Sequence, residues 1–522
     1  MSASQDRKRR VEAREQGTER RMVAAEKEAE ARRKSKIKWT IGTIVIVLLI
    51  AFIIVGNSNL FYTQQTAVTV GDMKYSVADV NYYYMSARNQ YLNYGIISSE
   101  TPLDEQECTI SSDFDTWDAY LRDAAIQSLV QLTALSQAAE DAGMTLSEAD
   151  VRSIDEEFAQ LEIEADSYGY SSANKYLTAL YGHGVTKKVV RNLMEQSALA
   201  SKYAQSQYDS FTYTDEQIAE TYAEHANEYD TFDYMYYLVQ AEKVESADAE
   251  GETSSAPTDE TMAAAKATAD QIAAATQDAD SFTEAVAEHG AAVAVTDSDG
   301  EETGETTPAA PATVEDGSGS NAGAYAFADW LYSADRAAND VTVVESEGSG
   351  YYVVLFQSRG TNDYNTVSVR HILVKAVDED EDGVYSDEEK ATAKERIEAI
   401  YDEWKQGDMT EESFAELAEI KSEDTGSSTN GGLYENIYKG EMVEGFEAFC
   451  FDPGRQPGNV DIVYGESSSY SGYHLIYFVG QGPLYCDYLA DQHLRSDDYS
   501  AWQETFFADW SGEQCRAMKY VG

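Results

Sequence analysis

Six histidines occur in this chain of 522 residues, and two of them interrupt runs that read as β-strands. His371 lies in "VSVRHILVKAV" and His474 in "SGYHLIYF", where a strand favours valine or isoleucine. Taken singly, each fits a buried, hydrogen-bonded structural histidine. Taken together they suggest one paired polar site.

An internal recurrence supports the pairing. "MYYLV" at 235–239 matches "RHILV" at 370–374, "SGYYVVLF" at 349–356 matches "SGYHLIYF" at 471–478, and "RAANDV" from Arg336 matches "RQPGNV" from Arg455. Two related α+β domains in tandem are therefore expected, at 232–360 and 366–482. In the first, Tyr236 and Tyr352 stand where the second has His371 and His474. Both histidines change together, as members of one site would.

The second domain resembles the parvulin family of peptidyl-prolyl isomerases through "RHILV", "FAELAEIKSED", "GGLYENIYKGEMVEGFEAFCF" and "SGYHLIYF", in the family's order. The resemblance implies a four-stranded antiparallel sheet with surrounding helices. It also implies that His371 and His474 are paired beneath the substrate, with Asp424 at the family's Cys or Asp position and Ser471 bonded into the histidine network. Met442 and Phe446 match the walls of a proline pocket, and Leu433 completes it, although "GGLYE" is one residue shorter than the family's usual segment. No nucleophile and no cofactor are implied, because rotating a prolyl amide makes and breaks no bond to the protein. The loop after the first strand, "KAVDEDEDGVYSDEE", is acidic, so a phosphorylated substrate would be repelled.

That loop admits a second chemistry. Asp378, Asp380 and Asp382 alternate ahead of Gly383, and Glu389 closes a D-x-D-x-D-G pattern that can wrap calcium. A solvated acidic hairpin is the competing reading.

The elements around these sites follow from charge and periodicity. Residues 1–38 hold 13 Lys and Arg against 7 Asp and Glu, so the remainder carries −62 of the chain's total of −56. A surface so acidic sets nucleic acid aside as a partner. Residues 39–62 carry no charge and are long enough, at 1.5 Å per residue, to cross a hydrocarbon core of roughly 30 Å. The basic flank from Arg32 to Lys38 places the N-terminus in the cytoplasm and the acidic bulk outside. A cleaved signal peptide is the alternative, and lipid attachment at a cysteine just after this segment is excluded because the first cysteine is Cys108.

Beyond this single-pass anchor, a strand, a turn at Gly71 and a helix capped by Ser76 with Asp79 are expected, followed by helices at 116–143, 147–165, 171–182, 186–209 and 215–228. The region 63–230 resembles the helical chaperone region of extracytoplasmic foldases of the PrsA and SurA type. Residues 297–320 have the composition of a disordered insertion, and 483–522 read as a helical tail whose Cys486 and Cys515 could pair. The fold class is α+β. The expected activity is isomerisation of X-Pro bonds in unfolded secreted chains, the alternatives being a non-catalytic holdase and an envelope scaffold.

Overall fold

The computed structural model describes Ile46, Val47 and residues 59–247, 253–296, 302–379 and 383–522. The cytoplasmic segment 1–38 and nearly all of the anchor expected at 39–62 lie outside the described residues. Among the described residues no helix is long and apolar enough to cross a membrane.

In chain order come α1 (Asn59–Gln64), β1 (Thr66–Val70), β2 (Met73–Ser76), α2 (Val77–Asn93), α3 (Trp117–Asp141), α4 (Glu148–Ser167), α5 (Ala173–Tyr181), α6 (Lys187–Ser210) and α7 (Asp215–Tyr229). Then follow β3 (Thr231–Gln240), the hairpin β4 (Lys243–Ala247) and β5 (Thr253–Pro257), α8 (Asp259–Ala275) and α9 (Ala279–His289). A second hairpin, β6 (Val293–Thr296) and β7 (Glu302–Thr307), leads to β8 (Ala312–Ser318), α10 (Gly319–Ala322), α11 (Ala328–Leu331), β9 (Val341–Ser346) and β10 (Gly350–Gly360). The remainder is β11 (Asn365–Lys375), α12 (Asp387–Gln406), α13 (Glu411–Lys421), β12 (Leu433–Ile437), α14 (Glu444–Cys450), β13 (Val460–Glu466), β14 (Ser471–Leu484), α15 (Tyr485–Phe507) and β15 (Gly512–Gln514).

These elements form two compact units, residues 1–207 with 502–522 and residues 208–501. In the first, the β1–β2 hairpin turns at Gly71, whose φ of +54° suits glycine. Ser76 and Asp79 then exchange the hydrogen bonds of a capping box and start α2. Trp117, Leu121, Leu129, Phe158 and Leu193 fill the core between the helices. The expected helical tail is only partly helical. After α15 the chain returns as β15 and pairs antiparallel with β1, Val68 opposite Gln514. A three-residue strand formed by remote pairing carries no periodicity of its own. All four cysteines are free thiols, so Cys486 and Cys515 are not joined.

The second unit holds two four-stranded antiparallel sheets, ordered β8-β3-β10-β9 and β12-β11-β14-β13. In each, the first and last long strands lie side by side at the centre. The registers coincide as well. His371 faces Ile476 and Leu373 faces His474, as Tyr236 faces Val354 and Leu238 faces Tyr352. On the second sheet, Ile372, Val374 and Leu475 pack against α12 and α13, while Val367, Val369 and Ile476 pack against α14.

The segment expected to be disordered is largely built. Residues 302–307 and 312–318 are strands, and β8 forms an edge of the first sheet, with Tyr234 opposite Val314. An edge strand exposed on one face can be polar without losing its ladder, which is why composition alone misreads it.

Gly512 packs so closely on α3 that a Cβ there would stand 2.4 Å from Ile126 Cγ2. Gly512→Val should therefore lift β15 off its seat and destabilise the first unit by roughly 2 kcal/mol. Thermal unfolding read by circular dichroism checks this, and an unchanged midpoint would show that β15 contributes nothing to that core.

Candidate active site

β11 and β14 are neighbours, and strand alternation turns His371, Leu373, His474 and Ile476 to one face. The two imidazoles stack with centroids 5.3 Å apart and their Nδ1 atoms 3.2 Å apart. They are only 3% and 4% exposed, so each polar nitrogen needs a protein partner. His371 Nε2 lies 2.9 Å from Asp424 Oδ2 and 3.0 Å from Ser427 Oγ. His474 Nε2 lies 3.0 Å from the hydroxyl of Tyr470.

Asp424 reaches this place because the chain after α13 is tied to β11. The Leu373 N–H donates to Ser422 Oγ at 3.1 Å, and the Glu423 N–H donates to the Leu373 carbonyl at 2.9 Å. Ser427 and Tyr434 hydroxyls also donate to Asp424 Oδ2. The hydrogen bond from His371, aided by Ser427, holds the Asp424 carboxyl well below its ordinary range despite partial burial. Burial, with His371 alongside, pushes His474 down from 6.5 to about 3. His474 is neutral at physiological pH.

The apolar wall comes from α14. A Cβ on Gly445 would sit 2.3 Å from the Tyr464 carbonyl, so glycine lets α14 approach β13 closely. That approach sets Phe446 edge-on to both imidazoles, with centroids 5.4 Å from His371 and 5.3 Å from His474. Met442 packs on the same cluster, half-buried, and borders a 450 Å³ cleft with Lys439, Glu444, Glu447 and Phe451.

Two expected residues sit elsewhere. Leu433 pairs with Arg370, on the sheet face that carries α12 and α13, whereas Tyr434 pairs with Val369 and faces the histidines. The segment's missing residue shifts the alternation by one, so Tyr434 lies beside the ring of His371, at 5.2 Å. Ser471 is three residues from His474 along one strand, hence on the opposite face, and its hydroxyl pairs with Tyr464 at 2.9 Å. Ser427, three residues beyond Asp424, is the serine hydroxyl that contacts His371. Sequence reading missed Ser427, Tyr434 and Tyr470, of which only Ser427 had a signal, its place in the loop of Asp424.

Of the calcium-loop carboxylates, Asp380 and Asp382 lie outside the described residues. Asp378 Oδ2 accepts the Gly383 N–H, while Glu389 accepts the N–H groups of Glu379 and Ser386 and caps α12. Among the described residues no three potential metal ligands converge.

The family model described as the PPIC-type PPIASE domain matches residues 355–481, which hold this sheet and its helices except the last three residues of β14. The second sheet is a parvulin-type domain. A second model, the SurA-like N-terminal domain, matches residues 30–204. Foldase protein PrsA 1 of Listeria innocua is 40% identical over 113 residues, covering 22% of this chain and 30% of the relative. Its namesake in Listeria monocytogenes is 39% identical over 115 residues, with the same shares. The match thus spans under a third of each relative's length. A solved structure of peptidylprolyl isomerase (PrsA) from Bacillus anthracis is 20% identical and covers 28% of this chain and 58% of that one, with a TM-score of 0.18.

The parvulin domain's wall has a counterpart on the first sheet. Phe327 precedes Arg336 by the interval that separates Phe446 from Arg455, and it packs on Tyr236 and Tyr352 with centroids at 5.8 and 5.2 Å. Each arginine covers an aromatic ring, Arg336 over Trp330 and Arg455 over Phe449.

The buried pair makes the parvulin domain sensitive to acid. His474 has a folded pKa of about 3 against 6.5 when exposed, so the unfolded chain binds the extra proton between these values and stability falls as pH drops through 6.5. Asp424, depressed in the fold, loses its own contribution below its ordinary value of 3.8. Denaturant unfolding at pH 6.5 and 4.5 should show the wild type losing roughly 2 kcal/mol more than His474→Gln. Equal losses in the two proteins would count against a neutral, buried His474.

Proposed function

We propose that this chain is a peptidyl-prolyl cis-trans isomerase with chaperone activity, acting on unfolded or extended secreted and envelope polypeptides that contain X-Pro bonds. The observation that carries the reading is the buried His371–His474 pair roofed edge-on by Phe446. A prolyl amide resists rotation through its partial double bond, with a barrier of roughly 18–20 kcal/mol. A catalyst must grip the ring and favour the twisted, less conjugated amide.

Phe446 and Met442 offer the apolar grip, with Tyr434 beside them in place of the expected Leu433. Asp424, Ser427 and the imidazoles form a fixed polar floor beneath. At 3% and 4% exposure the imidazoles are placed to shape and polarise the site rather than to exchange protons with a substrate. The reaction needs no cofactor. Calcium at the 378–389 loop would require Glu389 to leave the cap of α12.

The cleft beside Met442 is bordered by Glu444 and Glu447, which, with the acidic loop after β11, disfavour phosphorylated substrates and favour basic flanking residues. The basic 1–38 and the uncharged 39–62 support a single-pass anchor, with the cytoplasmic N-terminus short and the bulk of the chain outside. Residues 232–360 are read as a degenerate parvulin-like copy, catalytically silent because Tyr236 and Tyr352 replace the histidines. That replacement also favours a second reading, a holdase that grips extended chains without isomerising them.

A peptide assay of cis-to-trans conversion on the full chain tests both. Wild type should accelerate the exchange, and His474→Ala and Phe446→Ala should each lower kcat/KM about tenfold or more, while Tyr352→Ala leaves it unchanged. No acceleration by wild type, with suppression of client aggregation retained, would sink the enzyme and promote the holdase.

A further inference from the structure

We propose that Tyr470 is a positioning residue whose hydroxyl, by donating to His474 Nε2, fixes which nitrogen of each buried histidine bears a proton. It deepens the isomerase reading, but the proton arrangement stands on geometry alone. Four groups form a line of contacts: Asp424 Oδ2 to His371 Nε2 at 2.9 Å, His371 Nδ1 to His474 Nδ1 at 3.2 Å, and His474 Nε2 to Tyr470 at 3.0 Å.

An ionised carboxylate only accepts, so His371 carries its proton on Nε2. Its Nδ1 is then a lone pair, and His474 must present an Nδ1–H to it. That leaves His474 Nε2 bare, and it requires a donor. Tyr470 is that donor. Reversing any link sets two protons or two lone pairs face to face.

Two further observations hold Tyr470 to this task. A Cβ at Gly465 would lie 2.7 Å from His474 Nε2, so β13 passes the nitrogen closely and only glycine leaves the ring its place. The turn between β13 and β14 is closed by the Ser467 N–H donating to the Tyr470 carbonyl at 2.9 Å, which fixes the tyrosine four residues before its target. Burial and the charge of Asp424 raise the Tyr470 phenol, which keeps its proton available to donate.

The test reads nitrogen protonation directly. Long-range proton–nitrogen correlation spectra of the full chain, labelled with nitrogen-15 histidine, contain only six imidazoles. Wild type should show His371 protonated on Nε2 and His474 on Nδ1. Tyr470→Phe should convert His474 to a mixture of tautomers and lower kcat/KM about tenfold with KM unchanged. His474 protonated on Nε2 in the wild type overturns the proposal without any variant. Unaltered tautomers and rate in Tyr470→Phe overturn it too. A tautomer change in a protein whose wild type shows no isomerase activity supports the positioning role and overturns the isomerase reading instead.

Discussion

Two imidazoles buried against each other in an apolar wall can coexist only if their protons are ordered, and that order starts from one carboxylate. Asp424 accepts from His371, which fixes the partner's orientation in turn. The rest of the domain supplies the conditions for this chain. β11 and β14 must be adjacent, in a register that puts the rings on a shared diagonal, and the loop after α13 must be tied down at Leu373 to deliver the carboxylate. α14 must lie close enough, over Gly445, for Phe446 to exclude water from both rings. Loss of the register or of the tie at Leu373 leaves a buried polar nitrogen without its partner, a cost that large apolar contacts elsewhere do not repair.

The first sheet offers a comparison without that constraint. Its strand order and register match those of the second, and it too has an aromatic wall and an arginine packed on an aromatic ring, but tyrosines stand at the positions of the two histidines. A tyrosine hydroxyl both donates and accepts, so Tyr236 can pair with Tyr325 at 3.2 Å without an anchoring carboxylate. After α9 the chain forms the β6–β7 hairpin and β8. Neither histidine could stand alone at such a depth without an unpaired nitrogen, so a sheet that lacks the ring pair needs no carboxylate beside it.

The fold and half of the site were legible because they rest on local chemistry. The Ser76–Asp79 capping box and the helices from Trp117 to Tyr229 follow from residue types at fixed spacing, and the paired histidines from the recurrence of one sequence pattern. What escaped depended on pairing between remote strands. Whether Leu433 or Tyr434 faces the histidines is a question of one-residue register, which a shortened segment leaves open until β12 is laid beside β11. Ser471 was implied by the family resemblance, but its odd spacing from His474 within one strand turns it to the other face. Tyr470 lies in a turn, where no periodicity reports direction, and β8 and β15 take their order from partners more than 70 residues distant.

The depth of the histidines also bears on how such a site can act. Rings enclosed in this way, His371 by Phe446 and Tyr434 and His474 by Phe446 and Tyr470, have no free nitrogen for a substrate, and a neutral His474, pushed down to about 3, is no general acid near neutrality. What remains is a rigid arrangement of dipoles under an apolar slot. Such an arrangement suits a reaction in which no bond is made and the amide merely loses conjugation as it twists. Preorganisation matters more here than basicity, because a floor that had to reorient during the twist would give back the electrostatic advantage it offers. The same requirement accounts for the use of buried, fully partnered groups in place of exposed ones, and for a chain of hydrogen bonds with a carboxylate at one end and a phenol at the other.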